Sequence, residues 1–345
     1  MFARTLPHAR LLLALPLLLA GCQAASPAIP RSPIGQPASA TPSTMPIEVP
    51  TTTPAQTSVP LPDGHPARSA FVVGAEGAPP CGIASDGVTV WVADFRRSRL
   101  VAIDAASDTV VARHIVNGGP CGLAFLDGAL FSAERTSKFL FKRDAGSLDE
   151  EGEPVLGGGT IWDVEAGAGA VWFVDRGKGE LVKIDPATNA VVARVELGGE
   201  ISGLAVAANA VWVAVEGTDE TVRVDPLTVT VVARIATGDQ PIWVAATDEL
   251  AWVTHADGSA VLVDGATNQE RVRLDLGGQP GEPAIVGDAV WIPNQEGGTL
   301  TEVGLTNGVI GRTLEIGPGV AQVVLAAGSL WVSGHTDGWV WRVDP

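Results

Sequence analysis

Between Ile201 and Gly238 the chain reads ISGLAVAANAVWVAVEGTDETVRVDPLTVTVVARIATG, in which short apolar runs alternate with polar or glycine-rich breaks. The runs are four to eight residues long, rich in Val and Ile, and bounded by Gly, Pro, Asp or Asn. That pattern predicts strands rather than helices. Near-copies of the stretch recur along the chain. Aligned on the aromatic of the VWVA-like run they carry Trp91, Phe131, Trp172, Trp212, Trp252, Trp291 and Trp331, spaced 39 to 41 residues apart. A short run before each aromatic, the aromatic run itself and two runs after it give four strands per unit. Seven four-stranded units at this period predict an all-β fold, a seven-bladed β-propeller. The aromatic runs are apolar on both sides of the pleat, as expected where blades cover one another face to face. The seven aromatics are therefore read as packing between blades.

The two ends of the repeat bear on closure. The last unit stops at Val343-Asp344-Pro345, after its third strand. One period before the outer strand at Val110-Val111 lies the β-prone run Ala70 to Val73. An N-terminal strand is thus expected to complete blade seven and close the ring, leaving no long free edge. The propeller is assigned to residues 69–345.

Residues 1–21 have the form of a signal peptide, with Arg4 and Arg10 ahead of an apolar run, Leu11 to Ala20, too short to span a bilayer. Leu19-Ala20-Gly21-Cys22 resembles the bacterial lipobox, which implies cleavage before Cys22 and acyl chains on that residue. Gln23, rather than Asp, implies by the same resemblance an anchor in the outer membrane of the cell envelope, facing the periplasm or the surface. Residues 22–68 hold eleven of the chain's prolines among Ser, Thr and Ala. Such a segment buries too little apolar surface to fold and is expected to be a disordered tether. At roughly 3.1 Å per residue it reaches on the order of 140 Å.

The formal net charge of -17 disfavours nonspecific binding to nucleic acid. No nucleophile elbow, HExxH, CxxC, phosphate loop or EF-hand loop is present. The expected role is that of a monomeric binding module, with a protein, a polysaccharide or a small anionic ligand as partner. No cofactor is expected, a divalent cation being the one candidate. Cys81 and Cys121 occupy the same place in consecutive units, at the start of the first strand and nearest the axis. They are read as a disulfide, as two buried thiols, or as a soft-metal pair.

Three residues after each aromatic stand Asp94, Glu134, Asp175, Val215 with Glu216 beside it, His255, Asn294, and Gly334 with His335 beside it. This ring is expected at the channel mouth, either as ligands for a cation or polar molecule or as a solvated rim. The adjoining loops are basic in units one to three and acidic in units four to seven. Arg96, Arg97, Arg135 and Arg176 are the candidate contacts for an anionic group. Trp162 and Trp243 break the repeat near the first strands of units three and five, and either stack on a ligand or plug the axis.

The stretches LVKIDPATNAVVARVELGG (Leu181 to Gly199) and LVAIDAASDTVVARHIVNGGPCGLA (Leu100 to Ala124) resemble the YVTN-type repeat of bacterial surface and periplasmic propellers of the YncE-like group. The resemblance covers residues 69–345 and implies binding and surface roles. A more distant resemblance is to virginiamycin B lyase, a metal-dependent propeller enzyme whose site, by that resemblance, uses a Glu-Pro-His turn and a glutamate after a blade aromatic. Here Glu282-Pro283-Ala284 and Asn294 stand in those places. The alternative function is accordingly a metal-dependent lyase or lactone hydrolase.

Overall fold

The computed structural model describes residues 58–59, 61–73, 80–336 and 338–345; the signal-like run, Cys22 and most of the proline-rich segment lie outside them. The chain forms seven antiparallel four-stranded sheets, the blades of a β-propeller. Blade one runs outward from the axis as Pro80–Ser85, Thr89–Asp94, Arg99–Asp104 and Thr109–Ile115, and the later blades repeat that order. Among the described residues no helix is long and apolar enough to cross a membrane.

The turn between third and outer strands explains the aspartate of the repeat. In blade four the Asp225 carboxylate accepts hydrogen bonds from the backbone N–H groups of Leu227 and Thr228, both at 2.8 Å. Asp264 does the same for Ala266 and Thr267, both at 2.9 Å. Short side chains that bond the backbone two and three residues on initiate such turns. The acceptance of these bonds holds both carboxyls below their ordinary pKa.

The second strands lie between neighbouring blades, and their aromatics are at most 2 % exposed. Two of their indole N–H groups also join blades: Trp91 donates to the Ala145 carbonyl of blade two at 3.2 Å, and Trp252 to the Leu305 carbonyl of blade six at 2.9 Å. Cations cover several of the rings, as Lys183 covers Trp172 and Arg342 covers Trp331.

Closure occurs as the repeat predicts. Ala67–Val72 pairs antiparallel with Trp339–Val343 and completes blade seven. The folded body begins earlier than residue 69. Val59 donates its N–H to the Ala70 carbonyl at 2.7 Å, Leu61 packs on the apolar cluster of blades six and seven, and His65 bonds the Ile316 carbonyl. The last stretch of the segment read as tether therefore lies on blade seven.

Candidate ligand site at the channel mouth

Each first strand lines the axis and starts at one end of the channel, because its first residue pairs with the last residue of the second strand: Pro80 with Asp94, Pro120 with Glu134, Ile161 with Asp175. The strands bulge just after that pair, and the residue past the bulge differs from blade to blade. It is Gly82, Gly122 and Gly203 in blades one, two and four, but Asp163, Trp243, Glu282 and Gln322 in blades three, five, six and seven. The glycines are needed for close approach. A Cβ on Gly82 would lie 1.6 Å from the Cys121 carbonyl oxygen, and one on Gly203 would lie 2.7 Å from that of Ile242.

The mouth itself is formed by the residue that follows each second strand: Phe95, Arg135, Arg176, Glu216, Ala256, Gln295 and His335. Their backbones are fixed by the loop that leads into the first strand. Arg135 N–H bonds the Gly119 carbonyl at 3.1 Å, Arg176 that of Thr160 at 2.9 Å, and His335 that of Gly319 at 2.7 Å. Most of these side chains converge on a cavity of 320 Å³ lined also by Trp162, Trp243, Ser202 and Gln279. A smaller cavity of 160 Å³ between Phe95, Arg96 and Cys81 shares Arg135 and His335 with it.

Of the ring expected three residues after each aromatic, Glu216 and His335 do line the mouth, while the other polar members lie one position short of it and are held within the blades and loops. Asp94 is buried, accepting from Arg99 Nε at 2.9 Å and from the Arg97 N–H at 3.2 Å. Glu134 is buried against Arg143 at 2.7 Å. Burial still raises its carboxyl above the ordinary value, with Arg143 opposing. Asp175 accepts from the Gly159 N–H at 2.8 Å. Asn294 donates to the Gly277 carbonyl at 2.6 Å. His255 is fully buried, and burial lowers its pKa. Of the remaining candidates, Arg97 is exposed on its loop and Arg96 reaches only the smaller cavity. Arg135, Arg176, Glu216, Trp162 and Trp243 do come together. The two tryptophans are not equivalent, since Trp162 sits on the bulge of its strand and Trp243 just past it.

The two mouth arginines differ in how they are paired. Arg176 bonds Glu216 at 2.7 Å, Glu200 at 3.0 Å and Ser202 at 2.8 Å. Arg135 bonds the Trp162 carbonyl at 3.1 Å and stacks on the Trp162 ring at 3.8 Å, and among the described residues no carboxylate lies within 4.0 Å of it. Arg176 covers the same ring at 4.6 Å. Burial pulls the Arg135 guanidinium down to about 10, which leaves it cationic at neutral pH. Burial, with the Arg135 charge second, pulls His335 down to about 4, so its imidazole is neutral there. Arg135 Nε, Trp162 Nε1 and His335 Nε2 are all buried without a hydrogen-bond partner.

Deeper in the channel lie acids that the reading of the repeat did not single out as site residues. Asp163 is buried, accepting from the Leu204 and Val164 N–H groups at 3.0 and 2.9 Å. Burial raises it to about 7. Glu282, bonded by Gln322, is raised to about 8, again chiefly by burial. Glu165 is raised well above its ordinary value by burial and then by Asp163 and Glu282. Glu165 and Glu282 line a cavity of 390 Å³ at the opposite end of the channel, among alanines and valines of the first strands. A sequence signal for them exists: where Glu165 stands, the other first strands carry Ala84, Ala124, Ala205, Ala245, Ala284 and Val324.

These residues do not fit the divalent-cation site that the lyase resemblance implies. Ala284 offers no donor, Glu282 is bonded to Gln322, and Asn294 holds loop carbonyls. Among the described residues no group of three or more His, Cys, Asp or Glu stands close enough to hold a metal ion. Cys81 and Cys121 are joined as a disulfide between blades one and two at the mouth, with Cα atoms 4.6 Å apart.

The sequence matches no protein-family model and no curated protein. The fold is similar to that of solved propellers. Virginiamycin B lyase from Staphylococcus aureus shares 13 % identity at a TM-score of 0.68, over 80 % of this chain and 98 % of that one. Kuenenia stuttgartiensis hydrazine synthase shares 14 % at 0.71, also over 80 % and 98 %. The WD40 β-propeller domain of Doa1 shares 12 % at 0.69, over 81 % and 97 %. At these identities the likeness is one of fold alone, and the fold it describes is the β-propeller.

Proposed function

We propose that this protein is a lipid-anchored extracytoplasmic propeller that works as a binding module through its channel mouth. The observation that carries the reading is the 320 Å³ cavity in which Arg135, with no carboxylate partner among the described residues, stands beside the half-buried Trp162 and Trp243. A concave site with a few convergent polar groups and aromatic walls suits a small ligand. The apolar run before Cys22 and the lipobox resemblance support the anchor, and the YncE-like resemblance supports a binding role at the cell envelope.

Two measurements test it. Cys22→Ser is expected to move the protein from the membrane pellet to the soluble fraction of the envelope; an unchanged distribution would remove the anchor. Thermal denaturation across a panel of small acids, sugars and peptides is expected to give a raised midpoint with at least one class, lost when Arg135 is changed. Stoichiometric Ca, Mg, Mn or Zn in the purified protein, with stability lost on chelation, would instead favour the metal-dependent enzyme.

A further inference from the structure

Resting on the reading of the mouth as a binding site, we infer that its ligand is a monocarboxylate carried on a ring, with the carboxylate on Arg135 and the ring against Trp243. The way charges are paired at the mouth favours a single negative charge. Arg176 is already held by Glu216 and Glu200, whereas Arg135, among the described residues, has no carboxylate within 4.0 Å and is open to a ligand's. A second negative charge on the ligand would face Glu216 across the same cavity, with Asp163 acting on Arg135 from below. A planar guanidinium matches a carboxylate in two parallel hydrogen bonds, and it is worth most where water is excluded.

The ring is assigned from the tryptophans. Trp162 is already covered by two guanidiniums, at 3.8 and 4.6 Å. Trp243 lines the cavity half-exposed, and among the described residues it takes part in no ring stack and no cation–π contact. It is the free apolar wall. Gln279 and Gln295 on the far side supply donors and acceptors for ring substituents. The volume of 320 Å³ lies at the small end of the roughly 300–1,000 Å³ span of ligand sites.

Isothermal titration of the purified full-length protein tests this with benzoate, glucuronate, benzamide, glucuronamide and inorganic phosphate. At least one ring acid is expected to bind tenfold or more tightly than its amide, and phosphate more weakly than that acid. The benzoate and glucuronate arms distinguish a flat aromatic acid from a sugar acid. Arg135→Gln is expected to reduce the acid to the level of the amide, and Trp243→Ala to weaken both. If acid and amide bind equally and Trp243→Ala still weakens them, the mouth remains a binding site but the carboxylate assignment is wrong. If phosphate binds more tightly than either acid, the single charge is wrong. If nothing binds, or neither substitution matters, the mouth reading falls as well. The acid-to-amide comparison needs no variant, so a poorly folded Arg135→Gln protein does not rescue the inference.

Discussion

The two ends of the channel are made from the same seven first strands, yet they have opposite chemistry. At the starts of the strands stand Arg135, Arg176, Trp162, Trp243 and His335, around a disulfide. At their ends the walls are alanine and valine, broken by Glu165, with Glu282 lining the same cavity from the bulge position. The backbone repeats from blade to blade at both ends, with its bulge at the mouth, so what distinguishes one blade's contribution from the next comes from a few side chains that depart from the repeat. Where the repeat demands Gly for close approach, as at Gly82 and Gly203, a blade is closed to innovation. Where a neighbour leaves room, as at Asp163 or Trp243, a large group enters. Symmetry supplies the scaffold, and departures from it supply the chemistry.

The largest expected effect is on the mouth side. Removing the Cys81–Cys121 bond, which closes a loop of 40 residues in sequence, should lower stability by about 2–4 kcal/mol, read as a fall in denaturation midpoint on reduction or in the double Cys→Ala protein. A midpoint unmoved by reductant would mean that the bond contributes nothing to holding blades one and two together. A smaller effect belongs to the acidic end and depends on pH. In the unfolded chain the three carboxyls have lost their protons by about pH 5, whereas the folded chain holds them to about 7 for Asp163 and about 8 for Glu282. Folding takes up protons between those limits, so these groups make stability fall as pH rises through that window. Glu165→Gln should therefore be more stable than the parent protein at pH about 8, with the gap closing towards pH about 5. His335 works in the opposite sense below its ordinary 6.5, since its neutral form is the one the fold keeps, which is why the variant is compared with its parent at each pH. Parallel pH profiles would show that Glu165 is ionised in the fold.

The smallest effect lies at neither opening but in the turn before an outer strand. Val229 holds a left-handed backbone, φ 53°, where blades three and five carry Asn189 and Asn268 at φ 54° and 55°. A β-branched side chain is costly in that region, and Asn tolerates it. Val229→Asn should gain about 1 kcal/mol without altering either end of the channel. A loss would mean that the partial packing of Val229 on the cluster of blades three and four outweighs the strain.

The blades were legible because seven aromatics at a constant period mark seven equivalent strands, and a strand apolar on both faces can only be covered on both. The mouth was legible to within one residue. Period alone cannot distinguish the last residue of a strand, such as Asp94 or Asp175, which turns inward to bond loop backbone, from the next, such as Arg135 or Arg176, which turns to the axis. That choice depends on the bulge in the neighbouring first strand, which leaves no mark in composition. Asp163, Glu165 and Gln322 did leave one, since each replaces Gly, Ala or Val at an aligned position. It becomes readable only once the first strands are aligned residue by residue rather than blade by blade.

The pairing of Ala67–Val72 with Trp339–Val343 also sets an order of events. Of the described strands, the one that completes blade seven is made first and its partner last. At roughly 5–20 residues per second, on the order of ten to sixty seconds separate them on the ribosome. Through that interval the nascent ring is a horseshoe with two unsealed apolar faces, and no early blade can bring its completion forward. Whatever attends the nascent chain must keep the opening strand available until the closing one arrives.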